Sequence, residues 1–287
     1  MMKPNRSVQL DGVQQTLLIP LWARAKEIQK KNPILIDRRA AGILKDAGFD
    51  STRLDENINE YYQLTWTVRA KMLDEEIRTF LFRCPKSTIV NIGAGLDTTF
   101  ERVDNGQVEW YDLDLPDVIE LRTRLIPRTA RTHYIAQSAL GSGWFAEIGK
   151  PRDGVLLAAC GVLPYFRAKE ARQLFGNLAT RFPGSEIVFD TASRFFVWAG
   201  KWLLRWQTGI STQSFMKWGV TSAREIAQWD PRIQVVEEYP FFSKIRMDPS
   251  WGKDTVHAMK RADRMHGFNI FHLKFEDGLR LERSTGE

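Results

Sequence analysis

The sequence predicts an α/β protein: a doubly wound, mostly parallel sheet of seven strands preceded by a helical extension. Two observations carry this. Up to residue 83 apolar residues recur at three- and four-residue steps, and after Pro85 short apolar runs alternate with helical stretches. A third places the business end of the sheet: the first run closes in "VNIGAGLDTTF", two glycines one residue apart at the end of a buried strand.

The elements follow in order. "TLLIPLWARAKEIQK" and "YYQLTWTVRAKMLDEEIRTFLFR" read as helices with few internal breakers. Seven strands are read in "STIVNIGAG", "VEWYDLDLP", "HYIAQSAL", "GVLLAACGV", "SEIVFDTAS", "IQVVEEYPFF" and "NIFHLKF", with helices such as "PDVIELRTRLI" and "AKEARQLFGNLATRF" between them. The last two strands are joined by a short, partly helical connection, which fits an antiparallel hairpin at the sheet edge. Between the fifth and sixth strands lies "RFFVWAGKWLLRWQTGISTQSFMKWGV", which holds Trp198, Trp202, Trp206 and Trp218. The expected organisation is a helical extension or lid over residues 1–84 and a main domain over 85–287 with a cap inserted at about 194–228.

Composition narrows the function classes. Lys and Arg number 41 against 35 Asp and Glu, but the signs alternate and no dense basic run occurs, so a nucleic-acid partner is not expected. Cys84 and Cys160 lie far apart without metal-ligand spacing, so neither a disulfide framework nor a metal site is expected. The apolar patch from Leu17 to Trp22 contains Pro20 and is too short for a signal peptide, and no run reaches the roughly 20 apolar residues of a membrane helix. The expectation is a cytoplasmic protein without a membrane partner.

Ligands of an open α/β sheet bind beyond the carboxyl ends of its strands, where strand order reverses. Gly93 and Gly95 remove Cβ atoms at such a point. Asp114 in "VEWYDLDLP" follows Gly95 by 19 residues, the spacing at which an acid meets ribose hydroxyls. The third glycine of a dinucleotide fingerprint is missing from Gly93-Ala94-Gly95-Leu96-Asp97-Thr98, so a cofactor without a pyrophosphate suits the turn better, and S-adenosylmethionine is the leading choice.

The run "VNIGAGLDTTFERVDNGQVEWYDLDLPDVIELR" resembles the leucine carboxyl methyltransferase family, in particular its bacterial branch of tetracenomycin-type polyketide O-methyltransferases. The resemblance extends through "TVRAKMLDEEI", "GVLPYF", "RFPGSEIVFD" and "MKWGVTSAREIAQWDPRI". It implies a class I methyltransferase fold using S-adenosylmethionine. It implies Arg69 for the cofactor's methionine carboxylate, Gly93, Ala94 and Gly95 beside the methionine portion, Asp114 with Leu115 at the ribose, and Ser138 and Ala139 near adenine. Cys160 stands where many relatives carry glutamate, and Gly141 where they often carry aspartate, so two polar contacts are weaker or supplied elsewhere.

Methyl transfer needs an acceptor oxygen held in line with the methyl group and water kept out. A carboxylate acceptor arrives ionised, whereas a phenol needs help in losing its proton; Tyr165 and His133 are the weak candidates for that role. "ACGVLPYF" lacks the Asn/Asp-Pro-Pro loop common in amino-group methyltransferases acting on bases, which favours oxygen. The aromatic segment, with Trp206, Phe215 and Trp218, is expected to wall the pocket of a small, flat methyl acceptor. Three readings stay open: a small-molecule O-methyltransferase that includes carboxyl methylation, a protein carboxyl methyltransferase, and a cofactor-binding protein that has lost catalysis.

Overall fold

The computed structural model describes residues 12–151, 153–199 and 216–277, with side chains from residue 17 onward. Four helices come first: α1 (Gly12–Glu27), α2 (Arg38–Asp46), α3 (Thr52–Asn57) and α4 (Glu60–Arg83). The Asp37 and Asn59 side chains cap α2 and α4 by accepting from the Ala40 and Tyr62 N–H groups, which supplies partners for otherwise orphaned donors.

The sheet contains the seven expected strands: β1 (Thr88–Ile92), β2 (Glu109–Asp114), β3 (Thr132–Ala136), β4 (Val155–Ala159), β5 (Glu186–Ala192), β6 (Ile233–Pro240) and β7 (Phe268–Phe275). Their spatial order is β3-β2-β1-β4-β5-β7-β6. Strands β1 to β5 pair in parallel, and β7 runs antiparallel to both β5 and β6. Every residue of β1, β4 and β5 is buried, because helices cover both faces of a parallel sheet. The order reverses between β1 and β4, so the turns after these strands flank the switch point.

The end of the sheet differs from a hairpin. Residues 241–267 connect β6 to β7 and carry the 12-residue helix α10 (Lys253–Arg264). β7 slots between β5 and β6, leaving β6 at the edge with its middle exposed. The connecting helices are α5 (Thr99–Val103), α6 (Pro116–Leu125), α7 (Ala168–Arg181), a helical stretch α8 at 194–199, and α9 (Ala223–Ala227). Pro116 begins α6, where its missing N–H costs nothing.

Helix α4 does more than extend the chain. Its Ile77, Phe80 and Leu81 pack with Ile89, Trp110, Leu156 and Val188 on one face of the sheet, while Leu64, Val68 and Met72 pack with Phe241, Phe242 and Ile270 at the antiparallel end. Helices α1 and α2 are layered through Leu18, Leu21 and Ile43 onto Leu96 and Leu121, next to the glycine turn. Among the described residues no helix is long and apolar enough to cross a membrane.

Candidate active site

Gly93 and Gly95 both have positive φ, +69° and +48°. A Cβ on Gly93 would stand 2.6 Å from Cγ2 of Val162, and one on Gly95 3.1 Å from Leu17. The turn is therefore closed to side chains by conformation and by space. The N–H groups of Gly93 and Ala94 donate to the Leu113 carbonyl at 2.8 and 3.2 Å, tying the end of β1 to β2.

The two acids of β2 part company. Asp112 is consumed internally: Arg122 donates to it at 2.8 Å, Asn91 at 3.0 Å and the Trp110 indole at 2.9 Å. Asp114 stands at the strand end and accepts from the Gly95 and Leu115 N–H groups, both at 2.7 Å. Burial pushes its pKa up and these two donors pull it back. Each oxygen keeps a lone pair for a further donor, and Leu115 beside it is 46% exposed.

Beneath the turn lies a buried ionic lattice that sequence reasoning missed. Arg102 of α5 donates from Nε and Nη2 to the two oxygens of Asp74 of α4 at 2.7 and 2.9 Å, and from Nη1 to Asp37 at 3.1 Å. Arg24 of α1 and the Thr98 hydroxyl reach the same Asp37 at 2.7 and 2.6 Å. Asp97, two residues past Gly95, lies 3.8 Å from Arg24 and 3.7 Å from Arg102. Burial opposes its charge, but Arg102 and Arg24 win and hold its pKa at about 2. Arg122 completes the lattice by donating to the Gly95 and Asp97 carbonyls at 3.1 and 2.7 Å. Asp97 was in plain sight in "GAGLDT"; its partners are scattered over 80 residues, so only folding unites them.

On the other side of the turn stand Arg69, Gly161 and Asp190. Arg69 Nη1 lies 3.6 Å from Asp190 Oδ2, and its Nε is buried without a hydrogen-bond partner. A Cβ on Gly161, whose φ is +70°, would come within 2.6 Å of that guanidinium, so the arginine lies flat on glycine backbone. Gly161 N–H in turn donates to Asp190 Oδ1. Cys160 is pushed up to about 12 by burial, against the pull of Arg69, and is a neutral thiol. Tyr165 is open to the adjoining cavity yet ringed by protein; that desolvation raises its phenol above the ordinary value, with Arg69 pulling the other way.

The cavity has a volume of about 210 Å³ and opens beyond the ends of β4 and β5. Tyr61, Tyr62 and Trp66 of α4 form one wall, Phe195 and Phe196 of α8 another, and Phe241 and Phe268 from the antiparallel end a third. Thr65, Arg69, Asp190 and Thr191 add non-aromatic polar side chains to the lining. The aromatic wall expected after β5 is thus partly present, but α4 and the ends of β6 and β7 contribute as much. The "YYQLTW" run at helical spacing was the available signal, and so was an acid ending the apolar strand "EIVFD".

The remaining expectations divide. Trp218 is 8% exposed and packs on Trp229 in the core, with its backbone N–H on the Pro164 carbonyl at 3.0 Å, and it is not among the residues lining the cavity. Trp206 and Phe215 lie outside the described residues. His133 sits near the amino end of β3, stacked on Tyr111 and 3.0 Å from Glu109, at the end of the sheet opposite the turns. That position removes it from the chemistry. Ser138 and Ala139 follow β3 at the correct end; the Ser138 carbonyl accepts from Gly141 N–H at 3.0 Å and the Ala139 carbonyl from Trp144 at 3.3 Å. Among the described residues no cluster of three His, Cys, Asp or Glu could hold a metal ion.

A cradle that a Cβ would fill, an arginine with an unused donor and a strand-end carboxylate with free lone pairs fit a cofactor with an anionic end and a ribose. The leucine carboxyl methyltransferase family model matches residues 18–179. The tetracenomycin polyketide synthesis O-methyltransferase TcmP of Streptomyces glaucescens is 27% identical over 270 residues, covering 91% of this chain and 98% of that protein. The S-adenosylmethionine-dependent methyltransferase dpfgK of Gibberella zeae is 32% identical over 201 residues, 64% of this chain and 67% of its own. Two crystal structures share the fold. A DUF574 family protein of Streptomyces avermitilis has a TM-score of 0.57 at 13% identity and covers 91% of this chain and 97% of its own. The plantazolicin methyltransferase BamL has a TM-score of 0.51 at 9% identity and covers 92% and 98%. The chain belongs to the leucine carboxyl methyltransferase family and is an S-adenosylmethionine-dependent methyltransferase.

Proposed function

We propose that the protein methylates an oxygen, hydroxyl or carboxyl, of a small aromatic or polyketide-like metabolite. The observation that carries this reading is the aromatic-walled cavity beside Arg69 and Gly161: flat rings stack on flat rings, and 210 Å³ suits a small acceptor or the reacting end of a larger one. The O-methyltransferase activity in the name of TcmP is consistent with it.

S-adenosylmethionine, when bound, supplies an electrophilic methyl group. In this reading Arg69 holds the cofactor's carboxylate, Gly93, Ala94 and Gly95 let the methionine portion lie against backbone, and Cys160 packs beside it as an uncharged neighbour. Asp114, with Leu115 beside it, accepts from the ribose hydroxyls, and Ser138 and Ala139 lie around the adenine. Residues 1–84 act as a lid-like extension on the body formed by 85–287, with a cap at about 194–228. The cavity walls orient the acceptor and exclude water, which is most of what a displacement at a sulfonium methyl requires. Tyr165, neutral at physiological pH, donates a hydrogen bond to the acceptor oxygen and does not serve as its base.

Incubation with methyl-labelled cofactor and, separately, a metabolite extract and a protein extract tests the proposal. Label in a small molecule is expected; alkali then separates esters from ethers. Label confined to protein would overturn the small-molecule reading.

A further inference from the structure

The two charged side chains that line the cavity among the described residues, Arg69 and Asp190, stand side by side with opposite sign. Their 3.6 Å separation makes an ion pair but is too long for a hydrogen bond. Arg69 Nε has no partner at all, and Asp190, with a side chain 7% exposed, is anchored through Oδ1 by the Gly161 N–H while Oδ2 faces the arginine. Both groups therefore have unmet bonding capacity at one spot in the wall.

A ligand that carries a carboxylate and an ammonium on the same carbon would satisfy both. We propose that Asp190 is the binding site for the ammonium group of the cofactor's methionine end, working beside Arg69, which takes the carboxylate. This rests on the cofactor assignment of Arg69 above. The charge state agrees: burial raises the Asp190 pKa and Arg69 only partly offsets it, so a second cation nearby is stabilising.

Other groups near the turn are unsuited. Asp97 is already flanked by Arg24 and Arg102 at 3.8 and 3.7 Å, which hold its pKa down against burial, so its charge is met within the protein. Asp114 is held at the far side of Gly95 by two backbone donors. Cys160, directly after β4, is a neutral thiol with nothing to offer a cation. In the β4–β5 register Ala159 stands opposite Phe189, so the next positions are Cys160, just past the end of β4, and Asp190 of β5. The acid absent from the end of β4 is supplied one strand over.

Calorimetry on the full chain with S-adenosylhomocysteine and with its desamino analogue, which keeps the carboxylate, tests the proposal without turnover. Wild type is expected to bind S-adenosylhomocysteine roughly tenfold more tightly than the desamino compound. Asp190→Asn should erase that difference, weakening S-adenosylhomocysteine about tenfold while leaving the analogue within about twofold, and Asp190→Glu should recover most of the loss. Equal binding of the two compounds by wild type would overturn the ammonium site, whatever the variants do. So would an Asp190→Asn protein that loses both ligands alike, since Asp190 would then act through Arg69 or through the fold. If wild type binds neither compound, the cofactor assignment itself falls, a result distinct from failure of the ammonium site alone.

Discussion

The two halves of the site are built from opposite materials. Under the glycine turn, Arg24, Arg102 and Arg122 interlock with Asp37, Asp74, Asp97 and Asp112 from α1, α2, α4, α5, α6 and β2, mostly through bonds of 2.6–3.1 Å. Around the cavity aromatic rings dominate and the polar groups are few. A buried charge lattice has one acceptable geometry, because any shift strands a charge away from water. An aromatic wall tolerates rearrangement, because dispersion and area burial are non-directional. On the proposed assignment the cofactor, common to every turnover, takes the rigid half and the acceptor the adaptable one.

The largest effect that would break this contrast is Arg102→Met. It leaves Asp74 and Asp37 short of a partner at sites 0–1% exposed, and the expected cost is roughly 3–5 kcal/mol of stability. Urea denaturation reads it; a loss below about 1 kcal/mol would show that the lattice does not hold the turn.

A second charged cluster tests the same logic away from the site. His272 of β7 has Nδ1 3.1 Å from Glu76 and Nε2 2.7 Å from Glu186, with Arg83 on Glu186 and Lys244 and Tyr239 on Glu76. Burial works against its charge, but the two carboxylates raise its pKa to about 9, while Glu186 falls to about 2. A histidine raised on folding stabilises fully below its unfolded value near 6.5, and that contribution fades as pH rises through about 9. The glutamate's contribution is present above its unfolded value and fades as pH falls toward about 2. Stability should therefore be lost between pH 6.5 and 9.5 by on the order of 2–3 kcal/mol, and His272→Gln should flatten that limb. A melting temperature that is level over this range in wild type would contradict the pairing.

Gly161→Ala sharpens the boundary between the halves. Its methyl group would meet the Arg69 guanidinium at 2.6 Å on a backbone of positive φ. Affinity for S-adenosylhomocysteine should drop at least about tenfold, or roughly 1.4 kcal/mol, measured by calorimetry. Unchanged affinity would move Arg69 off the cofactor side.

Trp66→Ala in the cavity wall gives the smallest effect on the cofactor: the acceptor's KM should rise several-fold while cofactor affinity stays within about threefold, under ~0.7 kcal/mol. The reverse pattern would mean that the aromatic wall closes over the cofactor.

Local sequence determined the elements themselves. Short apolar runs and helical spacing marked seven strands and the helices between them, and Gly93, Gly95 and Asp114 could be read as a ligand turn because their expected roles depend on conformation and strand position, both of which are short-range properties. Tertiary structure decided what was joined over long distances. The insertion of β7 between β5 and β6 is a pairing with two strands distant in sequence. The union of Arg24 and Arg102 with Asp37, Asp74 and Asp97, the retreat of Trp218 into the core, the placement of His133 at the wrong end of the sheet, and the meeting of Arg69 with Asp190 across 121 residues of chain all depend on packing. Charge pairing and burial are set by neighbours in space, and a residue's neighbours in sequence carry no record of them.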